Sequence, residues 1–291
     1  MGEVWTILSS WTFDPVLGTG IVAAGVAYLL AARQVQRASP AHPWPARYTA
    51  SFMTALALAW IALLGPFGAL DDTFFWAHMV QHLTLMMLVA PLLLLGAPVL
   101  LVLRVSSRAF RHRWVVPALR SRVAHALTNP LFGWVLFAGT LIATHFSPFY
   151  EFCLTHDWAH RFVEHPVFLI AGLIYYYPLL PGNPGPRRVP YSIRTLSLFS
   201  MMTPETMTGF FIYATGYVMY PHYLTVARPF GPGPLRDQQL GGALMWSAAM
   251  VIDAVWVTLA ARDWLRSERE VARRIDLDTM RRMRMTPAPP A

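Results

Sequence analysis

Seven long apolar stretches punctuate this chain, and they constrain its fold more than any other feature. They cover residues 16–32, 50–65, 77–103, 131–144, 162–180, 195–218 and 240–261. A helix needs about 20 mostly apolar residues to cross the hydrocarbon core of a bilayer. Inside lipid every backbone N–H and C=O must be satisfied within the protein, so such runs are read as helices and not as an open sheet. The fold expected is all-α: a polytopic membrane helix bundle with seven transmembrane helices. The fourth stretch is short, so its span borrows from the flanking turn. Residues 1–261 form the membrane domain. Residues 262–291 form an Arg-rich helical tail with a frayed, Pro-rich end at 286–291. Within that tail Glu270 and Arg274, and Asp278 and Arg282, are i,i+4 pairs in the favourable order.

Arginine sets the orientation. All 23 basic residues are Arg, and alternating the loops puts 20 of them on one side. Only Arg161, Arg228 and Arg236 fall on the other. By the positive-inside rule the N-terminus is outside and the C-terminus cytoplasmic. The net charge of +8 is then a topology signal with some affinity for the anionic heads of the lipid bilayer. The arginines are spread over several loops without a recognition motif, so no nucleic acid is expected as a partner. Without lysine there is no Schiff-base amine, which excludes a retinal protein. The N-terminus has Glu3 and no basic n-region, so the first span reads as retained and not as a cleaved signal. Residues 105–127 mix arginines with Phe110, Trp114, Val115 and Val116 and read as an interfacial segment. Cys153 is the only cysteine, so no intrachain disulfide forms.

The histidines carry the functional signal. Seven of the ten, His78, His82, His145, His156, His160, His165 and His222, fall at span ends on the outer side. Burying imidazole costs free energy unless it is hydrogen-bonded or coordinated. His78 and His82 are spaced i,i+4, which puts both on one helical face within reach of one metal. Alone, that pair is equally explained by interfacial histidines bonding headgroups and water. His145, at the outer end of the fourth span, shares their level. His156, His160 and Glu164 make an i, i+4, i+8 stripe, with His165 set off from it and Pro166 at the start of the buried helix. A solvated amphipathic turn explains the charges there, but not the gathering of histidine-bearing helix ends on one face.

Met79, Met86, Met87, Met201, Met202, Met207, Met245 and Met250 lie on the third, sixth and seventh spans. Thioether with imidazole suits Cu(I), which makes copper the leading metal, although most membrane methionines are packing. Glu205, after Pro204, and Asp253 lie deep in the sixth and seventh spans. They read either as an ion or proton relay or as protonated, hydrogen-bonded acids.

The motif Ala77-His78-Met79-Val80-Gln81-His82 is followed by Ala90-Pro91-Leu92 and Gly96-Ala97-Pro98. Further along come His145-Phe146-Ser147-Pro148-Phe149-Tyr150, then His160 with Glu164-His165, the run from Gly172 to Tyr177, and Asp237-Gln238-Gln239-Leu240-Gly241-Gly242 before Met245-Trp246. Over residues 52–261 this combination resembles the seven-span cytochrome c oxidase assembly factor family of the caa3 type (CtaG). The resemblance implies a non-enzymatic protein of the bacterial plasma membrane that helps mature a haem-copper oxidase through its copper. On that reading His78, His82, His145, His160 and His165 hold Cu(I) at the periplasmic face, three or four of them at once. Glu164 and Asp237 support them, and His156 and His222 rank behind. The ion passes to an oxidase subunit or another copper chaperone. Transfer requires release, so an exposed, incompletely enclosed site is expected. Two rivals stay open: a haem-binding carrier or cytochrome with axial histidines, and a zinc-dependent membrane hydrolase using Glu164 as base. The second is weakened by the lack of a HExxH arrangement.

Overall fold

A computed structural model describes residues 2–285, and among them the secondary structure is entirely helical. A short helix, Gly2–Ser9, precedes α1 (Pro15–Ala38), α2 (Ala46–Leu64), α3 (Phe75–Val105), α4 (Pro130–Phe146), α5 (His165–Tyr176), α6 (Tyr191–Ala214) and α7 (Pro234–Met285). The apolar stretches map onto these seven helices in order. The expected frayed end at 286–291 lies outside the described residues, as do the side chains of Glu3, Asp278 and Arg282. The tail continues α7 without a break to Met285. By length and composition, four helices among the described residues can cross a membrane: Pro15–Ala38, Ala46–Leu64, Phe75–Val105 and Pro234–Leu277. Pro130–Phe146 with Phe149–Thr155, bent by 64°, makes a fifth.

The helix starts follow local chemistry. Asp14 precedes Pro15, and its Oδ1 accepts from the backbone of Val16 at 2.9 Å and Leu17 at 3.0 Å. Asn129 does the same ahead of Pro130 through Leu131 at 3.0 Å. In both cases the proline at N1 has no N–H to leave unsatisfied. α3 begins at Phe74–Phe75 with no capping side chain of its own. Its cap comes from α7: Asp237 Oδ2 accepts from Phe75 N at 2.8 Å and Oδ1 from Trp76 N at 3.1 Å.

α3 is the hub, packed against α1, α2, α5 and α7, while α4 bridges α5 and α6, and α6 lies along α7. It is interrupted by a π-helical turn at Thr84–Val89, just before Pro91, and by left-handed Ala97 (φ 50°) ahead of Pro98. The other π turns, Arg111–Val115 and His160–Glu164, likewise precede Pro117 and Pro166. Widening the turn relieves the clash of a proline ring with the carbonyl four residues back. For Pro91 that carbonyl is Met87, and the Trp256 indole on α7 donates to it at 3.0 Å.

Close approach of backbones fixes the packing beside the π turn. A Cβ on Gly172 of α5 would lie 2.7 Å from the Met86 carbonyl, so only glycine lets α5 sit there. On α6 and α7, Gly209 and Gly242 face each other, and a Cβ on Gly242 would lie 2.6 Å from Tyr213 N. Small residues at helix crossings allow this contact in lipid, where burying apolar surface gives no drive to associate. The outward surface is apolar, with Val26, Leu131, Val135, Phe199, Val251 and Val255 exposed, as lipid-facing helices require. Met79, Met86, Met87, Met201 and Met245 are core residues, whereas Met207 and Met250 face outward. Phe110, Trp114 and Val123 are exposed on the short helices between α3 and α4.

Glu205 and Asp253 are buried on α6 and α7, and neither Glu205 carboxylate oxygen has a hydrogen-bond partner among the described residues.

Candidate metal centre

The first half of α3 presents His78 and His82 inward, one turn apart, with ring centres separated by 5.4 Å. His145, at the end of α4, lies 5.1 Å from His82 and 6.2 Å from His78. Two imidazoles sharing a tetrahedral ion through metal–nitrogen bonds of about 2.0–2.1 Å have ring centres about 5 Å apart. His160, in the π turn leading into α5, lies 6.3 Å from His78, and His165 lies 4.8 Å from His160. Thus His78, His82, His145, His160 and His165, from three helices, gather in one buried patch.

Glu164 sits between the two ends of this patch. Its Oε2 is 2.6 Å from His160 Nδ1, and its Oε1 is 3.6 Å from His78 Nε2, too long for a hydrogen bond. The other face of His160 meets Asp71, with Nε2 to Oδ2 at 3.0 Å, and His165 Nε2 lies 3.8 Å from the same oxygen. The ligand atoms of Asp71, His160 and His165 fall within 4.8 Å of one another, a grouping able to hold a metal ion. Asp71 was missed from the sequence. It lies in the loop before α3, and its histidine partner is 89 residues away. The one signal was a pair of acids, Asp71-Asp72, in an otherwise apolar loop next to the histidine motif.

Several proton positions follow from the partners. A carbonyl only accepts, so His145 Nδ1 donates to Leu141 O at 2.8 Å and leaves Nε2 with a lone pair. Gln81 Nε2 donates to Ala62 O at 3.1 Å, which turns Oε1 toward His165 Nε2 at 3.1 Å. His82 Nε2 lies 3.2 Å from Met79 Sδ. Both ring nitrogens of His78, Nδ1 of His82, Nε2 of His145 and Nδ1 of His165 are buried with no hydrogen-bond partner. Each such group costs about 1–3 kcal/mol. Their concentration in one place fits a site built for an ion that accepts lone pairs.

Outside the apolar spans, burial opposes a charge on His160. Hydrogen bonds that its N–H groups donate to Asp71 and Glu164 overcome that opposition, and the imidazole is held up to about 10. Burial works against the charge on Asp71 too, but the bond and charge of His160 keep its carboxyl below the usual range.

A frame of tyrosines holds the patch. The rings of Tyr150 and His78 are 4.2 Å apart. The Tyr150 and Tyr223 hydroxyls meet at 2.6 Å, and the Tyr223 hydroxyl donates to the Asp71 carbonyl at 2.7 Å. Tyr220 donates to the His145 carbonyl at 2.9 Å.

Three residues expected near the site lie apart from it. His156 is an exposed, extended residue between Phe149–Thr155 and the next helix, so the i, i+4, i+8 stripe is broken at its first member. Its Nδ1 faces the Phe152 carbonyl at 3.0 Å. His222 Nε2 donates to the Asp72 carbonyl at 2.9 Å and so tethers the acidic loop. Asp237 caps α3 and pairs with Arg228 at 2.9 Å, acting on the helix that carries the histidines and not on their rings.

Exposure also departs from expectation. His78, His82 and His145 are 0–1% exposed, because the tyrosine frame and Phe168 close over them. The outer members are a little more accessible, with side chains of His160 at 11% and Asp71 at 6%. A cavity of about 230 Å³ reaches these two and His165, lined also by Asp14, Asp72 and Asp157.

Comparison with known proteins agrees over most of the chain. An uncharacterised protein of Mycobacterium leprae is 30% identical over 274 residues, covering 91% of this chain and 41% of its own length. Uncharacterised proteins of Mycobacterium bovis and Mycobacterium tuberculosis are each 29% identical over 277 residues, covering 93% of this chain and 42% of theirs. The chain therefore spans about two-fifths of the length of these curated relatives. No solved structure matches. Residues 26–267 match the family described as the cytochrome c oxidase caa3 assembly factor (Caa3_CtaG), and the chain belongs to that family.

Proposed function

We propose that this chain is a non-enzymatic assembly factor that binds copper, as Cu(I), and hands it to a cytochrome c oxidase subunit or another copper chaperone. The observation that carries this reading is the set of buried imidazoles with unpartnered ring nitrogens, contributed by three helices and joined by the Met79 thioether. Imidazole and thioether are donors suited to Cu(I). His78, His82, His145, His160 and His165 are the residues proposed to bind, and Glu164 orients His160 as carboxylates orient ligating histidines elsewhere. All seven helices cross the bacterial plasma membrane, the fifth span running through the apolar stretch 162–180. The N-terminus and the histidines face outward and α7 ends in the cytoplasm; the lopsided arginine distribution supports this.

The test is metal content of the purified full chain after anaerobic Cu(I) loading, with His78→Ala as control, and oxidase activity in host membranes. Copper should be retained by the parent and lost by the variant, and His78→Ala/His82→Ala should insert normally yet lower oxidase activity. Undiminished oxidase activity in that double variant would overturn the reading. A Soret band in the purified protein would favour the haem alternative.

A further inference from the structure

We infer that the patch is two adjacent ion sites of different chemistry: an inner one for Cu(I) made by His78, His82, His145 and Met79, and an outer one for a divalent cation made by Asp71, His160 and His165. This rests on the metal-binding reading above and divides it.

Glu164 is the divider. His160 has two ring nitrogens, and the one turned toward the inner set, Nδ1, is taken by Glu164 Oε2 at 2.6 Å. Its Nε2 points the other way, at Asp71 Oδ2 3.0 Å distant. One ion cannot draw on His160 Nε2 and on the unpartnered nitrogens of His78, His82 and His145, because the ring and the carboxylate stand between them. The glutamate–histidine arrangement is the one that orients a metal-bound imidazole, with the other nitrogen, Nε2, aimed at Asp71 in the outer position.

Donor chemistry separates the two. The inner set offers three imidazoles and sits against a thioether, with His82 Nε2 3.2 Å from Met79 Sδ. The fold proton-locks one of its members, His145, with Nε2 free. Soft and borderline donors of this kind select Cu(I). The outer set places a carboxylate among two imidazoles, all three ligand atoms within 4.8 Å, a donor set that suits Zn(II) and similar divalent ions. Accessibility separates them again. The inner rings are 0–1% exposed, while the outer group opens on the 230 Å³ cavity, where Asp14 is paired with Arg161 and Asp72 and Asp157 supply the remaining negative charge. The outer ion lies between that cavity and the inner set.

The full-length protein in detergent would be loaded anaerobically with Cu(I), with Zn(II), and with both. Each metal is then titrated against a Cu(I) chelator or a zinc chelator. One Cu(I) and one Zn(II) should bind together. Asp71→Asn, outside the residues proposed above for copper, should weaken Zn(II) at least tenfold and leave Cu(I) unchanged; His82→Ala and His145→Ala should do the reverse. X-ray absorption of the doubly loaded parent should show sulfur next to copper and only nitrogen and oxygen next to zinc. That readout needs no variant to fold. If Zn(II) displaces Cu(I) one for one, or variants of both sets weaken the same ion equally, there is one site and the division fails while copper binding stands. If neither ion binds the parent, the copper reading fails and this inference with it.

Discussion

Removing the Asp237 carboxylate should unseat the helix that carries His78 and His82, although Asp237 touches neither ring. Its two oxygens cap Phe75 and Trp76 at the start of α3, and one of them also pairs with Arg228 at 2.9 Å. Losing a cap costs about 0.5–2 kcal/mol. Stripping the partner from a buried ion pair costs about 3–5 kcal/mol. The Arg228 side chain is 11% exposed and keeps a bond to the Pro232 carbonyl and the faces of Phe74 and Tyr223, so the lower half of that range applies. Asp237→Ala should therefore cost about 4 kcal/mol, or roughly 8 °C in melting temperature for a chain of this size. Thermal unfolding of the full chain in detergent, followed by circular dichroism, reads it. Arg228→Ala should cost less, since the cap survives. The double variant should be more stable than the sum of the singles implies, because no unpaired charge is left behind. An Asp237→Ala protein melting within about 2 °C of the parent, or strict additivity in the cycle, would refute the trans-capping argument.

Further expectations concern the patch itself. His78→Phe keeps the ring stacked between Phe75 and Tyr150 but deletes two unpartnered nitrogens, so the metal-free protein should melt higher while losing copper; a lower melting temperature would show that those nitrogens are satisfied. The folded His160 value of about 10 lies above its ordinary value of 6.5, so its contribution is complete below the ordinary value, shrinks as pH rises above it, and is gone once pH passes about 10. Asp71, held low, contributes above its ordinary value and loses that contribution as pH falls through the lowered one. The melting temperature of the metal-free protein should thus decline as pH rises from about 6.5 to about 10, and Asp71→Asn should end that decline at lower pH; an unmoved end-point would remove the ion pair as its source. Under reducing conditions the inner set should hold Cu(I) more tightly than Zn(II), and zinc retained there with no Cu(I) bound would overturn the copper assignment.

The helices were legible because long apolar runs leave few alternatives in lipid, and the i,i+4 pair His78/His82 keeps its face in the first turns of α3. What the spacing missed arises where helical periodicity stops. His156 lies apart from the other histidines because the chain is extended there, which ends the stripe that a continuous helix would carry on to His160. Asp237 was grouped with the histidines by resemblance, yet its action is a cap across 162 residues of sequence, which no local pattern encodes. Asp71 is the same kind of omission: its loop is placed beside His160 by Tyr223 and His222, both from the segment ahead of α7. The length of α7 was legible, since its charged tail continues the helical pattern past the apolar part.

The closure of the tyrosine frame over His78, His82 and His145 bears on time as well as on affinity. An ion among rings that are 0–1% exposed leaves only when the helices part, however weak its bonds. Its exit is then a first-order opening of the bundle, and adding more chelator past a saturating level leaves the rate unchanged. Residence would be set by how often the Tyr150–Tyr223 contact breaks, and a recipient that loosens that contact on docking would control the moment of release without competing for the ion at all.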